Sequence, residues 1–240
     1  TENTDPPVPP APVLTPADDL RFTRSTIDDD ANGPAFAEIE DVDGDGREDV
    51  IISQFGLIQG TAISPGSITI YYQGKDLGDW SRTEQVFSPE DNIYWPNELT
   101  MKDIDGDGDL DLAVGMGFLI CAFLPRIDTM GQQSPAQPCG GLLWFEQTSA
   151  GWQRHDIFTP VTTLFYHKPV IVDFDGDGIL DIVAVGEERP PEGSVGDRAI
   201  AQWFKGTNTP ERFESQAREI GVGMGSLPTV LDVDGDGDLD

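Results

Sequence analysis

The stretch DVDGDGREDVIIS at Asp41–Ser53 decides the fold. Its first nine residues return as DIDGDGDLD at Asp103–Asp111, DFDGDGILD at Asp173–Asp181 and DVDGDGDLD at Asp232–Asp240. Every copy has Asp at loop positions 1, 3, 5 and 9 and Gly at positions 4 and 6. A like-charge pair at ~4 Å costs roughly 1–4 kcal/mol at effective dielectrics of about 80 to 20, so such a loop calls for a cation. Oxygen ligands with flexible coordination select Ca²⁺ over Mg²⁺ or Zn²⁺. Asp side chains at positions 1, 3 and 5 converge if the backbone curls tightly, and Gly at position 6 permits that curl. The carbonyl at position 7 then faces the ion, which leaves its side chain free to vary among Arg47, Asp109, Ile179 and Asp238.

The same nine positions open an EF-hand loop, which also needs Glu at position 12 and flanking helices. Here position 12 is Ile52, Val114 or Ala184, and the fourth copy ends before it. The segments DVIIS, DLAVG and DIVAV that follow are apolar and β-branched, as in strands. An EF-hand or dockerin reading is therefore rejected.

From first Asp to first Asp the steps are 62, 70 and 59 residues. An aromatic pair follows each complete loop: Tyr71-Tyr72, Trp144-Phe145 and Trp203-Phe204. The distances from the ninth-position Asp are 22, 33 and 22 residues, which places 11 extra residues in the second unit. Self-similarity at this period signals stacked supersecondary units. Each unit reads as four short strands. They are Ala35–Glu40, Asp49–Gln54, Ser67–Gln73 and Ser81–Phe87, then Glu98–Lys102, Asp111–Met116, Gly141–Gln147 and Trp152–Phe158. The third set is Pro169–Val172, Asp181–Val185, Ala199–Lys205 and Arg212–Ile220. Sustained spacing at i, i+3, i+4, i+7 is lacking, so almost no helix is expected. The fold class is all-β, a β-propeller of four-stranded blades.

The repeats resemble the FG-GAP / VCBS family, whose blades also build the integrin α-subunit head, over about Ala35–Asp240. The resemblance implies a calcium-binding propeller with the ion in the loop between strands one and two of each blade. Carried over position by position, the metal ligands are Asp41, Asp43, Asp45, Arg47 and Asp49; and Asp103, Asp105, Asp107, Asp109 and Asp111. The other two sets are Asp173, Asp175, Asp177, Ile179 and Asp181; and Asp232, Asp234, Asp236, Asp238 and Asp240. Residue 7 of each set contributes its carbonyl. Up to four Ca²⁺ ions are expected. Family propellers close with about seven blades, and this chain holds three and the start of a fourth. The expected blades are residues 33–90, 91–160 and 161–222, with a fourth beginning at 223–240. The sequence thus reads as the N-terminal portion of a longer protein. Residues 21–29, within LRFTRSTIDD, read as a strand that completes a distant last blade.

Residues 1–20 contain six prolines and read as a disordered or polyproline-like spacer. The formal net charge of −30 makes nucleic acid and anionic membrane unsuitable partners. The apolar run Gly117–Leu124 is too short to span a bilayer. Cys121 and Cys139 lie in one long connection and are expected to form a disulfide, as suits a secreted or cell-surface protein.

The calcium loops occupy one rim of such a propeller. The opposite rim receives the cysteine loop, Asp91–Pro96, Thr163–Lys168, Glu187–Asp197 and Gly221–Ser226. Ions are expected to be structural, and partner binding belongs to the other face. Tyr94, Trp95 and Tyr166 there are expected to be exposed and to stack on sugar rings or a protein partner, the alternative being that Trp95 and Phe165 pack between blades. Two functions follow. One is a calcium-stabilised extracellular binding or adhesion module for carbohydrate or protein. The other is a carbohydrate-active enzyme, a polysaccharide lyase or sugar dehydratase, with His167 and Tyr166 as acid/base candidates near Arg126 or Lys168. Convergence of those side chains in one pocket would favour the enzyme. His155 is expected to lie outward or between strands.

Overall fold

A computed structural model describes residues 23–240 apart from 57, 60, 189–197 and 224–225. The first unit contains β1 (Pro34–Glu40), β2 (Asp49–Gln54), the short β3 (Ile58–Gln59) and β4 (Ala62–Ile63), β5 (Ser67–Tyr72) and β6 (Arg82–Phe87). The second contains β7 (Pro96–Lys102), β8 (Asp111–Met116), the short β9 (Arg126–Ile127) and β10 (Gln133–Ser134), β11 (Gly140–Thr148) and β12 (Gly151–Thr162). The third contains β13 (Phe165–Tyr166), β14 (Val170–Val172), β15 (Asp181–Glu188), β16 (Arg198–Phe204) and β17 (Arg218–Val222). Two 3₁₀ turns, Pro89–Asp91 and Leu119–Ala122, are the helical elements among the described residues.

Three antiparallel sheets follow in sequence: β1-β2-β5-β6, β12-β11-β8-β7, and β13-β15-β16-β17 with β14 also on β15. Each is a propeller blade, and the first three acidic loops turn from one strand of a blade into the next, β1 into β2, β7 into β8 and β14 into β15. The central strands β5 and β8 are buried at every residue. A sheet covered on both faces makes such continuous apolar runs stable. One core joins blades one and two through Ile51, Ile68, Ile70 and Tyr72 against Leu112, Val114, Leu143 and Phe145. A second joins blades two and three through Leu142, Trp144 and Ile157 against Tyr166, Ile182, Ala184 and Phe204.

Blades two and three approach closely at Gly115. A Cβ there would lie 2.0 Å from the His167 carbonyl oxygen and 2.5 Å from that of Tyr166. Gly115 also pairs with Leu142 inside its sheet, so neither backbone can withdraw cheaply. Gly115→Ala is expected to cost about 2–3 kcal/mol of unfolding free energy by overpacking, read as a lower urea midpoint at unchanged m.

Most strands fall where the sequence places them, with informative exceptions. Of the expected strand Arg212–Ile220, only Arg218–Val222 forms. Arg212 instead adopts φ 63, a left-handed turn, and Phe213 makes an isolated bridge to Gly206. Residues 23–29 form no strand, and the rest of the 21–29 segment and the 1–20 spacer lie outside the described residues. The cross-strand register opposes Tyr71 to Val50, Phe145 to Leu112 and Phe204 to Ile182. The aromatic pair of unit one is therefore slipped by one residue relative to the other two.

The second-to-third-strand connections of blades one and two build a sheet of their own, ordered β10-β9-β4-β3. Its central pairing is parallel, Ile63 opposite Arg126, and the Ile63 N–H donates to the Pro125 carbonyl at 2.9 Å. The expected Cys121–Cys139 disulfide forms beneath it. Both cysteines are buried with Ile63 and Tyr94. The Arg126 guanidinium lies 4.5 Å from the Tyr94 ring centroid and donates to the carbonyls of Gln137 at 2.9 Å and Pro138 at 2.6 Å. Reduction is expected to remove about 2–4 kcal/mol of stability. Hydrogen exchange at the Ile63 amide should accelerate with it, while β15 amides stay protected.

Candidate metal centre

Each acidic loop folds on its own side chains. The first Asp accepts two backbone N–H groups across the turn. Asp41 takes those of Asp45 (3.0 Å) and Gly46 (2.8 Å), and Asp173 those of Asp177 (3.0 Å) and Gly178 (2.9 Å). Asp103 accepts from Gly106 (2.7 Å) and Gly108 (3.1 Å), and Asp232 from Gly235 (2.6 Å) and Gly237 (3.0 Å). The fifth-position Asp accepts the N–H of residue 7, as at Arg47 on Asp45 (3.0 Å) and Asp238 on Asp236 (3.0 Å). Short polar side chains that bond the backbone a few residues on favour turns over ladders. Both glycines of each loop have positive φ, from 70 to 101. Position 4, left unexplained by the sequence argument, thus needs glycine for the same reason as position 6.

The ninth-position Asp has a role that the sequence did not disclose. Asp49, Asp111 and Asp181 are buried at 1 %, 0 % and 0 % exposure. One oxygen accepts the N–H of loop residue 2: Val42 at 3.0 Å, Ile104 at 2.9 Å and Phe174 at 3.0 Å. The other accepts an N–H at the end of the third strand: Gln73 at 2.9 Å, Gln147 at 2.9 Å and Gly206 at 2.5 Å. This carboxylate staples the loop to the third strand. Asp240 keeps the first bond, to Val233 at 3.1 Å, but is exposed. Burial is the main influence on Asp111 and pushes its carboxyl up to about 6, against the pull of the Gln147 and Ile104 amides.

Carboxylate oxygens gather within 4.8 Å of one another in every loop: Asp41, Asp43 and Asp45; Asp103, Asp105 and Asp111; Asp173, Asp175 and Asp181; Asp232, Asp234 and Asp240. Basic side chains sit on two of the loops. Arg82 and Arg47 pair with Asp43 and Asp45, and Lys205 pairs with Asp175 and with Asp177 at 2.6 Å.

The structure does not bring the candidate acid/base residues together. Tyr166 is fully buried between blades, and its hydroxyl donates to Gln202 at 2.6 Å. Arg126 is bound to the cysteine loop, and Lys168 faces Glu38 of blade one at 3.5 Å. His167 lies between Glu98 at 3.7 Å and Glu187 at 3.8 Å, too far for hydrogen bonds. His155 stacks on Trp144 with centroids 4.2 Å apart and meets Glu146 at 3.0 Å. Tyr94 is buried under Arg126. Trp95 has both ring faces covered, by Phe55 at 4.7 Å and Phe118 at 5.3 Å. The three aromatics expected on the free rim thus pack internally, because neighbouring blades supply apolar partners that a single-unit reading omits. The exposed apolar residues of that rim include Phe118, Phe123, Met130 and Val222.

No described helix is long and apolar enough to cross a membrane. Among protein-family models, that of the FG-GAP-like repeat matches residues 41–114 and 173–240. No curated protein sequence matches the chain.

Proposed function

Because the chain belongs to the FG-GAP-like repeat family, we propose that it is a calcium-stabilised extracellular binding or adhesion module for a protein or carbohydrate partner. The carrying observation is the gathering of carboxylate oxygens in all four loops. An all-oxygen set on flexible, glycine-bearing turns fits a hard cation such as Ca²⁺. Bound there, the ion would neutralise the loop carboxylates. The residues that would hold it are the aspartates at positions 1, 3, 5 and 9 with the carbonyl at position 7. Extracellular calcium at millimolar concentration would fill sites of about 10⁻⁴–10⁻³ M affinity. The disulfide supports an extracellular setting.

FG-GAP domains are generally protein-interaction modules, which favours binding over catalysis. We assign the partner surface to the rim opposite the loops, where the disulfide-closed connection of blade two carries the exposed Phe118, Phe123 and Met130. Arrays of extracellular proteins and of glycans test this. Saturable binding that Phe123→Ala weakens at least fivefold is expected. Steady release of unsaturated product from acidic polysaccharides would instead establish the lyase.

A further inference from the structure

We propose that the residue just beyond the third-strand position opposite loop position 10 sets how tightly its loop holds a cation, so that the first three sites are graded. The inference rests on reading the loops as calcium sites. The register opposes Tyr71, Phe145 and Phe204 to equivalent residues of the second strand. The next residues, Tyr72, Glu146 and Lys205, therefore occupy one structural position beside three different loops.

The charge at that position changes sign. Lys205 places its ammonium on Asp175 and, at 2.6 Å, on Asp177. Tyr72 is uncharged, but its cross-strand partner Arg82 lies over the ring, 3.7 Å from the centroid, and pairs with Asp43. Arg47 adds a second cation on Asp45. Glu146 instead brings a carboxylate to that position, where it meets His155 at 3.0 Å. Arg212 does reach loop two, yet it donates to the Asp105 backbone carbonyl at 2.8 Å. Among the described residues, no basic side chain pairs with a carboxylate of Asp103–Asp111 or Asp232–Asp240.

A dication entering loop one or three must share its carboxylates with a tethered positive charge. In loop two no basic side chain stands on the carboxylates. Like-charge repulsion at these separations reaches the scale of a tenfold change in affinity. Loop two fills first, and loops one and three fill later. Raising ionic strength narrows the gap, because these side chains are solvent-facing.

Calcium titration of the whole chain by amide NMR reads each loop at its sixth-position glycine: Gly46, Gly108, Gly178 and Gly237. The expected order is Gly108 before Gly46 and Gly178. Lys205→Glu should lower the Gly178 midpoint roughly tenfold, and Lys205→Gln should lower it by about half that factor. Glu146→Lys should raise the Gly108 midpoint roughly tenfold. Gly237 should not move in any variant. Calcium binding with midpoints indifferent to these charges overturns the grading and leaves the calcium reading intact. Amides that ignore calcium at every concentration overturn both.

Discussion

Chelating calcium is expected to lower the melting temperature by about 10–20 °C. A ligand that binds only the folded state stabilises by RT ln(1 + [L]/Kd). At millimolar calcium and affinities of about 10⁻⁴–10⁻³ M, each site contributes roughly 0.5–2 kcal/mol. Four loops together supply about 2–8 kcal/mol, and one kcal/mol moves a domain of this size by about 2–4 °C. The net charge of −30 acts in the same direction, because removing cations leaves the chain to repel itself. Calorimetry with calcium, with magnesium and with chelator checks it. A transition that stays within 2 °C in all three would remove the ions from the account of stability.

Asp181→Ala is expected to cost about 2–5 kcal/mol even in chelator. Its two oxygens accept the Phe174 and Gly206 N–H groups, and a buried donor left without an acceptor costs about 1–3 kcal/mol. Asp181→Asn, with one acceptor oxygen instead of two, should fall between. Asp240→Ala, at the exposed counterpart with a single described staple bond, should stay within about 1 kcal/mol. Urea unfolding in excess chelator separates this loss from any loss of metal. Equal costs at the two positions would refute the staple.

The acidic loops and the strands after them were legible because both depend on short-range rules: glycine where φ must be positive, and apolar runs where a strand is covered on both faces. Asp49–Gln54 and Asp111–Met116 form at the expected residues. The sheet built from β3, β4, β9 and β10 was not legible. Its strands are two residues long, and their pairing joins segments more than sixty positions apart. Arg212 misled for a different reason: a residue type with no preference for the left-handed region is held there. The dual use of the ninth aspartate escaped because a ligand pattern names residue types but not their second hydrogen bond. The aromatics at Tyr94, Trp95 and Tyr166 were misplaced because a strand pattern gives one unit's faces and not what the next unit lays over them.

The parallel pairing of Ile63 with Arg126 gives the first two blades a mechanical property. Apolar flanks pressed together can slide past one another, since dispersion contacts re-form at each step. The Ile63 N–H bond to the Pro125 carbonyl resists such sliding, and the disulfide inside the second blade's connection holds the segment that accepts it. Directional bonds also cross from the second blade to the third, from the Asn97 amide to the Tyr166 carbonyl and from the Thr100 hydroxyl to the Pro169 carbonyl, each at 2.7 Å, so both seams resist shear along the axis. A tug on a tethered ligand would be shared by all three blades.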